Sequence, residues 1–348
     1  MITTHWNTEI VTIGYNRTNS TLDKSTVNEP IFHPAQVITC IIQLSIAVMG
    51  NSISVAVLLR KAFRRTSTSV FLIGLAISDT TYLSITVGYY TMYWHSYTPF
   101  LAHSEAGCKI FTFLPYFSAH LSSWMLVNIT IERFVAVTFP FKAKLLYSPK
   151  RAIFGTLVTV CLIFMLNIHY LVKYGIIKDD YGVPSCYTDI SPSTGQIVVW
   201  LDSLLFSIVP ITMIFILNVI IFIKLRRSHQ FKTQKSSAIS RDQMDAFRTI
   251  LLVTTTFIVL TLPVSVTNIY YGLRKEDQYD DLADTVFNVT HAIMNNNFCL
   301  NFFIYCLTGR KFRKELWAMC CCSSKSKMSA TQTDKTKTRP NCDETSRL

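Results

Sequence analysis

Residues Asn128 to Phe141 read NITIERFVAVTFPF. An adjacent acid and base, Glu132-Arg133, close an apolar segment there, since Ile110 to Ile131 upstream holds no Asp, Glu, Lys or Arg. As a helix rising about 1.5 Å per residue, that segment is long enough to cross a hydrocarbon core about 30 Å thick. The two charges therefore fall at its far end. A charge near mid-membrane costs about 2.5 to 3.5 kcal/mol on insertion scales, so an acid and a base side by side at a helix end read as a paired, functional device. A snorkelling Arg at a membrane edge would account for Arg133 alone. Cys108 weighs against that simpler reading: it lies 25 residues before Arg133, roughly 37 Å along a helix axis. One element thus carries a thiol at one membrane face and the Arg at the other.

Composition extends the same reading to the whole chain. It is 50% hydrophobic and 16% charged, with a mean hydropathy of +0.31, where a typical soluble domain is about 25% charged. Charge-poor runs recur at Ala35 to Leu59, Val70 to Tyr93, Ile110 to Ile131, Ala152 to Val172, Gln196 to Ile223, Thr249 to Leu273 and Val286 to Leu307, interrupted only by Asp79 and Asp202. Each is at or above the roughly 20 residues a spanning helix needs, which predicts seven spans in one domain. Lys and Arg gather in alternate loops: Arg60, Lys61, Arg64 and Arg65 after the first run, then Lys142, Lys144, Lys150 and Arg151 after the third. The opposite side is acidic, with Glu276, Asp277, Asp280, Asp281 and Asp284 outnumbering Arg274 and Lys275. The basic loops mark the cytoplasm, so the N-terminus is expected outside. The net charge of +12 is then a topology signal, and no nucleic-acid partner is expected.

The spacing from Cys108 to Arg133, with ERF followed by FPF, resembles the third transmembrane helix of rhodopsin-like G-protein-coupled receptors. Gly50-Asn51 and Leu75-Ala76-Ile77-Ser78-Asp79 resemble the same family's inner motifs on the first two helices. ERFVAVTFPFKAK and CLTGRKFRKEL look most like invertebrate neuropeptide receptors of the FMRFamide-receptor-like kind. The resemblance covers roughly residues 35 to 322. It implies an all-α membrane protein, a seven-transmembrane helix bundle over 34–308 with a short amphipathic cytoplasmic helix at 309–322. The flanking segments would be an extracellular tail, 1–33, and a disordered cytoplasmic tail, 323–348.

Asp79 is an acid deep in apolar sequence that must find a proton, a cation or polar partners. Asn51, Ser122, Asn297 and Asn301 are the expected partners, and the resemblance implies a sodium ion and water among them. A protonated Asp in a purely structural network is the alternative. The resemblance also implies a disulfide between Cys108 and Cys186 in an oxidising compartment, and an outward cavity lined by Tyr89, Tyr93, Tyr116, His120, Asn268, Tyr271, Phe287 and His291. Ordinary helix packing accounts equally for those aromatics. Pro115 stands where amine receptors keep an acid, and Asn295 where opsins keep a lysine, so neither subclass is expected. At the inner face the resemblance assigns G-protein coupling to Glu132, Arg133, Phe141 and Tyr305.

Several positions depart from the family pattern: no Trp in the fourth span, Asn218 for a Tyr in the fifth, Thr261 for the switch Trp in the sixth, and Phe302 for the Pro in the seventh. Where receptors often hold Arg to an acid on the sixth helix this chain has Gln243, with Asp242 and Asp245 expected to face elsewhere. That predicts a weak lock and measurable ligand-free signalling. Pro263 is expected to kink the sixth helix.

Outside the spans, Asn16 and Asn19 head glycosylation sequons, whereas Asn128 and Asn288 match the triplet within spans and are rejected. Cys320, Cys321 and Cys322 follow the amphipathic GRKFRKELW and are palmitoylation sites in this reading. Cys40, Cys161, Cys299 and Cys306 read as buried hydrophobes. The polar tail suits receptor kinases and arrestin, and Thr345-Ser346-Arg347-Leu348 resembles a PDZ ligand.

No catalytic or metal constellation appears, so an enzyme is not expected, and no cofactor beyond the sodium ion. His120, His169 and His291 are isolated. The expected function is a receptor for an extracellular ligand, best a cationic amidated neuropeptide steered by the acidic loop, that activates a heterotrimeric G protein. The alternatives are a chemosensory or small-molecule receptor of the same family and, more remotely, a transporter or channel, for which inverted repeats are not visible.

Overall fold

The computed structural model describes residues 34–96, 104–139, 141–143, 147–178, 184–188, 192–230, 241–273 and 281–329. Asn16, Asn19, the acidic loop through Asp280, and the chain from 330 onward lie outside them. So do the side chains of Tyr93, Asp242, Gln243, Tyr271 and Cys322.

The first four spans are single helices, α1 Pro34–Leu58, α2 Ser67–Ser96, α3 Glu105–Thr138 and α4 Pro149–Lys173. Ser104 caps α3, its hydroxyl accepting from the Gly107 N–H at 3.0 Å, and Ser148 caps α4 ahead of a proline at the first turn. Both positions suit their residues, because the cap satisfies an orphan donor and Pro has none to lose there. A hairpin follows, β1 Tyr174–Lys178 paired antiparallel with β2 Pro184–Thr188, Ile176 opposite Cys186.

The fifth span is α5 Pro192–Ser203, a π-helical turn Leu204–Ile208, and α6 Val209–Gln230. Its break follows from Pro210. Val209 N–H reaches back to the Leu204 carbonyl, and Pro210 has no N–H to offer the Leu205 carbonyl. The third helix fills the gap: Trp124 Nε1 donates to Leu205 O at 3.0 Å. Trp124→Phe keeps an aromatic side chain but removes the indole N–H and strands that carbonyl, a loss of about 1–3 kcal/mol. The detergent-solubilised receptor should melt several degrees lower, and an unchanged midpoint would show the bond to be dispensable.

The sixth span is α7 Arg241–Leu273, which continues through Pro263. The expected seventh span is two helices, α8 Asp281–Cys299 and α9 Asn301–Thr308, interrupted at Leu300. By length and composition alone, six helices among the described residues can cross a membrane; the seventh crossing needs both halves. Phe302 removes the usual Pro, yet the interruption persists for a local reason. Leu300 N–H still bonds the Asn296 carbonyl at 3.0 Å, while Asn301 Nδ2 lies 3.4 Å from the Asn297 carbonyl, a side-chain donor at the acceptor the next helical N–H would use.

The chain closes with α10 Arg310–Ser329, longer than the amphipathic segment expected from the sequence. Gly309 makes the corner possible, because a Cβ there would lie 2.8 Å from the Tyr305 carbonyl. Arg313 Nη1 then caps the last carbonyls of α9, Cys306 O at 2.8 Å and Leu307 O at 2.9 Å. Arg60 ties α10 back to the first span through Glu315 at 2.6 Å.

α3 packs on α2, α4, the fifth span and β1 and so runs through the middle of the bundle. Gly50 lets α1 approach α9 closely: a Cβ there would lie 2.9 Å from Cβ of Phe302, the small-residue contact that membrane helices use. Cys40 and Cys299 are buried as expected, whereas Cys161 is exposed on the outer face of α4 and Cys306 is only partly buried. The apolar solvent imposes no penalty on an outward thiol, so hydrophobicity alone did not place Cys161 inside.

Candidate functional site

Three layers of polar residues cross the bundle. At the inner end Glu132 and Arg133 do not bond each other among the described residues. Neighbours on α3 instead meet neighbours on α2: the Ser67 hydroxyl donates to Glu132 Oε1, and Arg133 Nη2 donates to the Thr68 hydroxyl. The pair expected from sequence is thus two parallel links from one helix to another, possible because both helices present consecutive residues at one level. Arg133 lines a cavity of about 240 Å³ with Thr68, Tyr305, Asp245, Arg310 and Phe312 among its walls. Phe141 stands outside the bundle, 90% exposed, an unburied ring available to a partner. Tyr305 is buried and packs on Phe312 at 5.5 Å.

Asp245 corrects the sequence reading. Expected to face elsewhere, it is buried on the wall of the cavity that holds Arg133. Its Oδ2 lies 3.2 Å from Nε of Arg310 on α10. One turn on, the Thr308 hydroxyl donates to Thr249 at 2.7 Å. Two contacts therefore join the inner end of α7 to the α9–α10 corner, while the Gln243 side chain lies outside the described residues.

In the middle layer Ser122 donates to Asp79 Oδ1 at 2.5 Å and Asn301 Nδ2 to Oδ2 at 2.7 Å. Asn51 turns instead to Thr80 at 3.1 Å and to the Phe298 carbonyl at 3.2 Å. Asn297 takes part through its backbone carbonyl. The expected constellation is therefore brought together around Ser122 and Asn301, with Asn51 and Asn297 one contact removed. Asn218, where the family has Tyr, donates to Thr254 at 2.9 Å and so links the fifth and sixth spans. Thr261, in the switch position, is fully buried.

The outer layer lies under the hairpin. A disulfide joins Cys108 at the top of α3 to Cys186 on β2, with Cα atoms 5.5 Å apart, and Glu105 Oε2 accepts from Ile176 N–H at 3.3 Å. Tyr89, Tyr116, Tyr170 and Tyr174 pack around this disulfide. His120 Nδ1 lies 2.9 Å from Asn167 Oδ1, and Tyr170 donates to Asp202 Oδ2 at 2.5 Å. Phe287 and His291, one turn apart on α8, pack with ring centroids 4.0 Å apart and planes tilted by 38°. Asn268 is on α7, beside the Thr267 to Thr290 link of 3.1 Å between α7 and α8. Of the expected ligand residues, Tyr116 and His120 thus share one cluster with Tyr89 close by, while Phe287 and His291 form a second.

Sequence reasoning missed Asp202, Tyr170 and Asn167. The signal was present, since Asp202 is one of two acids in the seven apolar runs, but its partners lie on other helices at no fixed spacing. On α10, Cys320 and Cys321 are exposed, as a lipidated cysteine must be.

A family model described as the 7 transmembrane receptor (rhodopsin family) matches residues 50–305. The chain is 28% identical over 284 residues to neuromedin-U receptor 2 of Rattus norvegicus, an alignment covering 77% of this chain and 70% of that one. It is 26% identical over 275 residues to melatonin receptor type 1B-B of Danio rerio, covering 77% and 76%. To the type-1 angiotensin II receptor B of Rattus norvegicus it is 26% identical over 288 residues, again 77% and 76%.

Proposed function

The chain belongs to the rhodopsin family of seven-transmembrane receptors, and from that membership we propose that its extracellular ligand is a cationic, amidated neuropeptide and that its inner partner is a heterotrimeric G protein. As a member it is a multi-pass membrane protein and a G-protein-coupled receptor for an extracellular ligand. The observation that carries the coupling half is the inner cavity lined by Arg133, Tyr305 and Asp245, together with the exposed Phe141 ring. A G protein entering there gains Arg133 from Thr68 and covers Phe141. Ligand binding at the outer clusters would favour the state in which α7 swings away from the α9–α10 corner, because a ligand shifts an equilibrium by its differential affinity for the two states.

The ligand half rests on the aromatic, weakly polar outer layer and on the acidic loop after the sixth span, which raises local cation concentration. The chain sits in the plasma membrane with its N-terminus outside, bearing glycans at Asn16 and Asn19, with palmitate at the cysteines of α10 and with arrestin, receptor kinases and a PDZ protein reading its tail. For the sodium ion, the oxygen donors fit: Asp79 and Ser122 would hold a hard cation, which would supply the positive charge a buried carboxylate lacks. A small non-peptide ligand is the second reading, favoured by the similarity to a receptor named for melatonin.

A calcium readout in cells carrying a promiscuous G protein tests the proposal, with amidated Arg-containing peptides applied first and small odorants and amines next. The expected result is a saturable peptide response abolished by Arg133→Ala and weakened by joint Asp280→Asn and Asp281→Asn substitution. A response to neutral small molecules alone, indifferent to the acidic loop, establishes the second reading. Current or uptake without any G protein would point to a channel or transporter.

A further inference from the structure

Asp202 is buried at 7% exposure, and the coupling machinery does not use it. Tyr170 satisfies its Oδ2, but Oδ1 is buried without a hydrogen-bond partner. A carboxylate oxygen left in that state is costly unless a donor reaches it.

The neighbouring network fixes what faces this oxygen. Asn167 Nδ2 donates to the Ile163 carbonyl at 2.8 Å, so the Asn167 atom beside His120 Nδ1 is the oxygen, an acceptor. Nδ1 therefore carries the imidazole proton. The ring's other nitrogen, Nε2, stands 3.9 Å from Asp202 Oδ1, beyond hydrogen-bond reach, and the Asp202 backbone carbonyl lies beside the same ring. Oδ1 is thus the acceptor left open to an N–H donor. The surroundings suit a cation. Tyr116 and Phe206 each place a ring 6.4 Å from the His120 ring, and Tyr116 stacks on Tyr170 at 4.3 Å. Aromatic faces attract ammonium and guanidinium groups. Among the described residues no Lys or Arg pairs with Asp202, and His120 stands beside it. Tyr170 also packs in the disulfide cluster, which sets the acid beneath the outer hairpin.

Resting on the receptor reading above, we propose that Asp202 anchors a cationic nitrogen of the extracellular ligand, a guanidinium or protonated amine whose N–H reaches Asp202 Oδ1 beside His120 and between aromatic walls. The site thereby selects the ligand's charge.

Charged thiol reagents test this without any agonist. Tyr116→Cys places a reporter thiol in the cluster, and intact cells are treated with cationic aminoethyl methanethiosulfonate or anionic sulfonatoethyl methanethiosulfonate, with labelling of the parent receptor subtracted. The cation-to-anion rate ratio should fall about tenfold when Asp202→Asn is added and should be retained with Asp202→Glu, which keeps the charge and separates electrostatics from misfolding. An unchanged ratio, or an introduced thiol that neither reagent reaches, overturns the proposal. Because no agonist is involved, a peptide response in the calcium assay beside a failed labelling result leaves the receptor reading standing. A sound labelling result beside silence to peptides does the reverse.

Discussion

Asp245→Asn should raise ligand-free second-messenger output about fivefold. The variant removes the charge that meets Arg310 across the inner cavity. Arg310 is 63% exposed on its side chain, which holds the pair to about 1 kcal/mol. That is still roughly fivefold in the equilibrium between closed and open α7 while the open state is minor. The Thr308 to Thr249 hydrogen bond acts on the same movement and contributes about 1 kcal/mol more. Adding Thr249→Val should therefore bring the rise to roughly thirtyfold if the two contacts act independently. Arg133→Ala sets the floor of the assay. Basal output of the parent should stand above that floor, since the latch is thin; equality would show that the receptor is silent without ligand. Output from Asp245→Asn no higher than the parent would show that the α7–α10 pair does not hold the closed state.

The second large effect concerns the outer hairpin. Cys186→Ser should remove most functional receptor from the cell surface and abolish agonist response in what remains. The disulfide closes a sequence separation of 78 residues, for which chain entropy gives an upper figure of about 4.5 kcal/mol. That is a large share of the stability of an ordinary domain. Cys186 also carries β2 and packs in one cluster with Tyr116 and Tyr170, so the loss is of geometry as well as of stability. Cys108→Ser should match it, and the double variant should be no worse than either, because the three lack the same bond. Additive losses would mean that each thiol acts alone. Surface immunostaining together with the calcium readout separates the two contributions.

The seven apolar runs, the side on which the basic loops fall and the far-end position of Arg133 follow from one-dimensional facts, because the lipid solvent demands long apolar helices and the charges must collect beyond them. Cys108, Cys186, Asp79, Ser122 and Asn301 could also be named from the sequence, through the spacing that the family keeps. The interruption at Leu300 could not, since it arises where the Asn301 side chain meets a carbonyl of the preceding helix. Nor could the destination of Trp124, which depends on a carbonyl that the π-turn before Pro210 sets free.

Asp245 and Asp202 show the same division most sharply. Each was visible in the sequence as an acid, but Asp245 was set facing elsewhere and Asp202 was given no partner, because the partners lie on other helices: Arg310 for the first, Tyr170 and His120 for the second. The sequence by itself determined how many times the chain crosses the membrane and which charges it carries to each end. The tertiary structure alone decided which of those charges face one another, because a helix periodicity fixes a residue's own face but says nothing of which neighbour, packed at what rotation and depth, will stand opposite it.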